Sequence, residues 1–127
     1  MEKSTTLDVK VVVHQDYVEV RYLGSFRLVL FKQQMEQSAK ACLEHKCCRL
    51  LVNITELSGY SPITAERHQI GSLGAQLTRD KLKVAVLGTK DQITTDQFTT
   101  QVARNRGGVV QTFVDRDEAL AWLLVSD

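Results

Sequence analysis

The sequence predicts an α/β fold: a mixed, mostly parallel sheet of about five strands with helices packed on it, in the order ββαβαβαβα. Three apolar runs carry that reading, namely Leu50-Leu51-Val52 with Ile54, Lys83 to Gly88 (KVAVLG) and Val109 to Val114 (VVQTFV). Near-continuous apolarity marks strands covered on both faces, the usual condition of parallel pairing, and each run is followed by a helical pattern. Two further runs, Asp8 to His14 and Tyr17 to Leu23, are separated only by Gln15-Asp16, so they form an antiparallel hairpin.

In the second hairpin strand Val18, Val20 and Tyr22 alternate with Glu19 and Arg21, giving one apolar and one polar face, as at a sheet margin. Gly24 ends this strand. Ser25 is placed to cap a helix in which Leu28, Phe31, Met35, Ala39 and Cys42 recur at helical spacing, so the helix is expected from about Arg27 to His45. After the first buried strand, Ser61-Pro62 reads as a helix start, with Ser61 accepting from orphan amides and Pro62 where its missing N–H does no harm. Ile63, Ile70 and Leu77 mark the buried stripe of that helix. Gly71 and Gly74 lie within it, each at a cost of about 1 kcal/mol against Ala, and close backbone packing is the expected reason for one or both.

The next strand leads through Gly88-Thr89-Lys90-Asp91 into a weaker helix around Phe98 and Val102, ended by Gly107-Gly108. The last leads into Asp115-Arg116-Asp117-Glu118, with an acid at the cap and Glu further on, before the apolar ALAWLLV. Right-handed crossovers place the helices on the sheet faces and leave the hairpin at an edge. The turns trailing the three buried strands are then expected on one rim, where open α/β sheets hold their ligands.

A chain of 127 residues that is 43% hydrophobic is expected to form one domain over 1–127, with Met1 to Thr6 flexible. The 16 Lys plus Arg against 15 Asp plus Glu give a net charge of +1, which offers no basic face for nucleic acid. No apolar run approaches the roughly 20 residues of a membrane span, so a cytoplasmic protein without an integral membrane segment is expected. Three cysteines, with Cys47 and Cys48 adjacent, make a poor disulfide framework and are read as reduced thiols.

With its element order in place, the chain resembles the STAS-like fold, and within it the small bacterial SpoIIAA-like domains related to anti-sigma-factor antagonists. The residues that carry the resemblance are Leu50-Leu51-Val52-Asn53, Val84-Ala85-Val86-Leu87-Gly88 before a polar turn, and Phe113 with Glu118-Ala119-Leu120-Ala121-Trp122-Leu123. The resemblance implies a non-enzymatic regulatory domain. In the antagonist branch a serine at the start of the second helix, within an Asp-Ser-Ser-Gly-like sequence, is phosphorylated. Here the matching stretch is Gly59-Tyr60-Ser61-Pro62-Ile63-Thr64, without the Asp-Ser pair, which leaves Ser61 and Thr64 as the candidate acceptors. SpoIIAA-like domains also resemble lipid carriers of the CRAL-TRIO type, which implies an alternative role as carrier or sensor of a lipophilic molecule held between helices and sheet.

Cys42, His45, Cys47 and Cys48 invite a metal reading, but adjacent cysteines diverge and no second ligand pair follows, so no metal site is expected. Ser58-Gly59-Tyr60-Ser61 does not match a nucleophile elbow, and neither His14 nor His68 has a context that marks a base; no catalytic residue and no cofactor is expected. His68 stays a site candidate because it follows the loop closely. Gly88-Thr89-Lys90-Asp91 combines a strand end, a turn and a cation before a helix, suited to an anion but lacking the spacing for nucleotide hydrolysis. Tyr60 and Ile93 either form an apolar patch at the strand ends or cover the core. The expected function is recognition of a protein partner or small ligand by the strand-end loops, through Ser58, Tyr60, Ser61, Thr64, His68, Thr89, Lys90 and Asp91. The exposed edge of the hairpin adds the expectation of a homodimer.

Overall fold

Residues 9–78, 82–93 and 109–125 are described by the structure, a computed structural model. The stretch expected to be flexible, Met1 to Thr6, and the weaker helix expected around Phe98 and Val102 lie outside them. The elements are β1 (Val9–Val13), β2 (Val18–Tyr22), α1 (Leu28–Glu44), β3 (Arg49–Asn53), α2 (Thr64–Thr78), β4 (Lys83–Leu87), β5 (Val109–Phe113) and α3 (Arg116–Leu123). A helical turn occupies 90–93. The strands lie in the order β1-β2-β3-β4-β5, with β1 antiparallel to β2 and the other three pairings parallel. The hairpin closes over Gln15-Asp16 with His14 N–H donating to Tyr17 C=O at 2.9 Å.

Strand periodicity divides the core into two layers. Val18, Val20, Tyr22, Leu50, Val52 and Val84 point to the face carrying α1 and α2, in one cluster with Phe31, Ala41, Cys42 and Ile70. Leu51, Ala85 and Leu87 point the other way, against Ala119 and Leu123 of α3. Both sets are buried, which is why β3 and β4 read as continuous apolar runs. Lys83 holds the far end of α3: its Nζ donates to Trp122 C=O at 2.7 Å and lies 4.5 Å from the centre of the Trp122 ring.

α1 buries Phe31, Gln34, Ser38, Ala41 and Cys42. Its start departs from the expected cap, since the N-cap is Arg27 with no side-chain hydrogen bond, while Ser25 is engaged with Ser58 instead. Its end is a Schellman motif: Cys47 N–H donates to Cys42 C=O at 2.9 Å, Lys46 N–H to Leu43 C=O at 3.2 Å, and Lys46 has φ 52°. The motif leaves Cys42 in the core, its thiol pushed up to about 12 by burial and by its neighbours Cys47 and Cys48.

Glu19 corrects the reading of β2 as a half-solvated margin. It is 1% exposed, on the face opposite α1, and its carboxylate receives both terminal nitrogens of Arg116, Nη1 at 3.1 Å, from the first residue of α3. Arg21 Nε lies 3.4 Å from one carboxylate oxygen and His14 Nε2 3.4 Å from the other. Burial opposes the negative charge, but the Arg116 and Arg21 guanidiniums outweigh it and hold the carboxyl below the usual carboxylate range.

Candidate functional site

Parallel pairing sends the C-terminal ends of β2, β3, β4 and β5 to one rim, and hydrogen bonds join the loops there. Ile54 N–H donates to Leu87 C=O at 2.9 Å and Gly88 N–H to Phe113 C=O at 3.0 Å, extending the ladder past the strands. Asn53 Oδ1 then turns the chain, accepting from Thr55 N–H at 2.9 Å and Thr55 Oγ1 at 2.7 Å. Ser58 ties its loop to the one after β2: it accepts from Phe26 N–H at 2.8 Å, and its own N–H donates to Gly24 C=O at 2.9 Å. The Ser25 and Ser58 hydroxyls meet at 3.2 Å.

Gln92 ties the same loop to the one after β4. Its Nε2 donates to Ile54 C=O at 2.8 Å and Leu57 C=O at 3.1 Å, while its Oε1 accepts from Thr89 N–H at 2.8 Å. Gln92 N–H in turn donates to Thr89 Oγ1 at 3.3 Å, completing a capping box. Thr-x-x-Gln is a signal in the sequence that the expectations passed over. Gly88 is required beside it, since a Cβ there would stand 2.9 Å from Ile93 Cδ1, 3.0 Å from Gln92 Oε1 and 3.2 Å from Ile54 Cγ1.

The expected residues separate on this platform. Ser58, Ser61, Thr64, Thr89, Lys90 and Asp91 are exposed on its loops and helix starts. Tyr60 is turned inward, 7% exposed, with ring centroids 5.2 Å from Phe26 and 5.4 Å from Phe31, and Ile93 is buried as well. These two therefore cover the core, and the exposed apolar side chains near the strand ends include Ile63 at 66% and Val114 at 56%. His68 lies further along α2, in a shallow groove with Lys32, Gln69, Ser72, Leu73 and Gln76.

Ser61 is not the cap of α2. The helix begins at Thr64, the first helical bond runs from Arg67 N–H to Ile63 C=O at 2.9 Å, and the Glu66 carboxylate accepts from Ile63 N–H at 2.9 Å. Ile63 thus precedes the helix and leaves the buried stripe, whereas Pro62 is buried. At α3 the expected cap is present, with Asp115 accepting from Asp117 N–H at 2.8 Å and Glu118 N–H at 3.2 Å. Own side chains thus take several of the amides that an anion would have used. The exposed charges near the strand ends include Glu56, Asp91 and Asp115 alongside Lys90.

Behind the rim, between α1, α2 and the sheet, lies a cavity of about 90 Å³. Apolar side chains dominate its lining, among them Met35, Val52, Ile70 and Val86, with Gly71 and Gly74 of α2 facing it. Its polar side chains are Tyr22, Ser38 and Tyr60; Tyr22 OH and Ser38 Oγ lie 2.7 Å apart, and burial pushes the Tyr22 phenol well up. A Cβ on Gly74 would meet Met35 Cε at 3.6 Å, an ordinary contact, so tight packing does not explain that glycine.

Sheet order, layering and rim define a STAS-like α/β domain that presents a strand-end platform. The sequence matches the SpoIIAA-like family over residues 17–124, and the chain belongs to that family. Among solved structures it is similar to an anti-sigma factor antagonist from Mycobacterium paratuberculosis, at 11% identity and TM-score 0.64 over 97% of this chain and 98% of that one. It is also similar to an uncharacterised DUF3478-family protein with a SpoIIAA-like fold from Shewanella loihica, at 22% identity and TM-score 0.56 over 97% and 99%. No curated protein matches the sequence. Among the described residues no helix is long and apolar enough to cross a membrane, and no group of three or more His, Cys, Asp or Glu is placed to hold a metal ion.

Proposed function

We propose that the chain is a non-enzymatic regulatory domain that recognises a protein partner through its strand-end platform. The observation that carries the reading is the joining of the loops after β2, β3 and β4 by Ser58 and Gln92, which gives a preorganised surface. Exposed Ile63 and Val114 beside Glu56, Asp91 and Asp115 suit a partner with apolar and basic side chains. The fold shared with the anti-sigma factor antagonist from Mycobacterium supports a protein as the partner. A photo-cross-linking residue at Ile63 or Asp91 is expected to capture one partner in cells, while one at Asp16 on the opposite rim does not. Capture of the same protein from Asp16 with equal yield overturns the reading.

Control by phosphorylation belongs to the same proposal, since Thr64 opens α2, where the helix dipole favours a phosphate, and Ser61 lies three residues before it, both exposed. Ser61→Ala and Thr64→Ala proteins that bind the partner as the parent does, under conditions where the parent is modified, remove that control. Pairing of two copies along β1, whose Val11 and Val13 are 43% and 50% exposed, is the corresponding proposal for a homodimer. A monomer mass in light scattering at high concentration removes it.

A second reading, sensing of a small lipophilic molecule, is favoured by one observation, the apolar cavity beneath α2.

A further inference from the structure

Away from the platform, at the junction of α1 with the start of β3, the Schellman motif fixes how two of the cysteines stand. Cys47 N–H donates to Cys42 C=O at 2.9 Å. Covalent reach adds about 2.4 Å from a Cα to its carbonyl oxygen and about 1.5 Å from N to Cα, so the two Cα atoms are at most about 6.8 Å apart. Disulfides span Cα separations of about 4.4–6.8 Å, so this one hydrogen bond brings the pair within bridging range. The side chains converge as well: Cys47 packs against the apolar cluster that contains Cys42, in the contact that Schellman motifs make between these two positions.

The two thiols differ in access. Cys42 is 2% exposed, out of reach of a reagent in solution, whereas Cys47 is half-buried. Cys47 is also loosely held, its Sγ lying 3.3 Å from Arg49 C=O and 3.9 Å from Asp16 C=O in the hairpin turn, both weak thiol contacts. Rotation about its Cα–Cβ bond turns the sulfur toward Cys42. Burial disfavours the Cys42 thiolate, which makes Cys42 a slow nucleophile unless a leaving sulfur is set against it. Cys48 is exposed and lies outside that cluster.

We propose that Cys42 and Cys47 form a modification site for low-molecular-weight disulfides of the glutathione type, with Cys47 as the entry thiol and Cys42 as the resolving one. The Cys47 thiolate, its proton lost to solvent, attacks one sulfur of oxidised glutathione, forming a mixed disulfide and expelling one glutathione thiolate. Cys42 then loses its proton and attacks the Cys47 sulfur, expelling the second. The two expelled thiolates take up the two protons, so the cysteine pair is oxidised to a disulfide and the reagent is reduced to two thiols. Closing the bond withdraws the Cys47 S–H from Arg49 and Asp16, which alters the seam between the hairpin turn and β3. The inference is independent of the platform and its partner.

The test incubates the folded full chain with oxidised glutathione, stops exchange with acid, alkylates in denaturant and maps peptides by mass spectrometry. Trypsin cleaves after Lys46, between the two cysteines, so a bridge appears as a linked peptide. The Cys48→Ser protein is expected to lose two hydrogens, to give the Cys42–Cys47 linked peptide, and to revert with dithiothreitol. NMR on it is expected to show shifts at the Asp16, Tyr17 and Arg49 amides as the bond closes. Cys47→Ser is expected to lower oxidation of Cys42 at least about tenfold, and Cys42→Ala to stop at a glutathione adduct on Cys47. No reaction at Cys47 overturns the site, and an adduct that persists on Cys47 in Cys48→Ser with Cys42 reduced overturns the resolving role. Linkage of Cys42 to Cys48 in the parent overturns the pairing. Linkage that accelerates in proportion to the unfolded fraction in dilute urea shows that it forms in the unfolded chain, and overturns the folded-state geometry.

Discussion

Glu19 shows how one side chain can reverse the meaning of a sequence pattern. Alternation in Val-Glu-Val-Arg-Tyr reads as a solvated polar face, and only Arg116, 97 positions along the chain, makes that glutamate a buried one. Removing a partner from a buried pair costs about 3 to 5 kcal/mol; with Arg116 at 39% exposure and Arg21 remaining, Arg116→Met is expected to cost about 2 kcal/mol at pH 7. The folded carboxyl titrates below its ordinary value of 4.5, so its contribution is complete above that value and is lost as pH falls through the lower, folded one. The gap between parent and Arg116→Met in urea unfolding should therefore narrow below pH of about 4. A gap independent of pH would show that the variant acts through packing. Lys46 is the reciprocal case, a side chain in the left-handed region at φ 52°, and Lys46→Gly is expected to raise stability by roughly 0.5 to 1 kcal/mol in the same assay.

Among the elements, β3 and β4 were legible because burial on both faces leaves a continuous apolar trace, and α1 because five apolar positions keep its period; β5 was legible from its apolar run but not as expected, since it is the edge strand and none of its residues is buried. The helix starts were less so. Ser25 and Ser61 have the chemistry of caps, yet α1 begins three residues after one and α2 three after the other; beside the expected Asp115 cap of α3, side-chain bonds at helix starts come from Glu66 on Ile63 N–H and from the Thr89–Gln92 box. The two were hard to tell apart because a serine before a helix can equally bond a neighbouring loop, as Ser25 does. The glycines of the candidate site differ in the same way. Gly74→Ala meets only an ordinary contact with Met35 and is expected to raise thermal stability by about 0.5 to 1 kcal/mol through helix propensity. Gly88→Ala crowds Ile93, Gln92 and Ile54 at once and is expected to lower it by about 1 to 3 kcal/mol, as overpacking does. Calorimetry on the pair should give shifts of opposite sign.

At the scale of the whole molecule, the sequence carried the meeting of strand-end turns on one rim, because parallel strands joined by right-handed crossovers leave no other arrangement. It did not carry the cavity, which depends on how far α2 stands from the sheet and has no signature beyond two glycines in a helix. Gln92→Ala removes the bonds to Ile54 and Leu57 and is expected to loosen the platform while leaving α3 in place; faster amide exchange at 54–58 with unchanged exchange at 116–123 would show it. The Glu19–Arg116 pair has a further consequence, one of timing. During synthesis β2 leaves the ribosome long before α3, so its carboxylate stands charged on a bare sheet face until Arg116 and the rest of α3 arrive. Until then hydration of that charge opposes premature collapse of the face, and docking of α3 becomes the step that covers it.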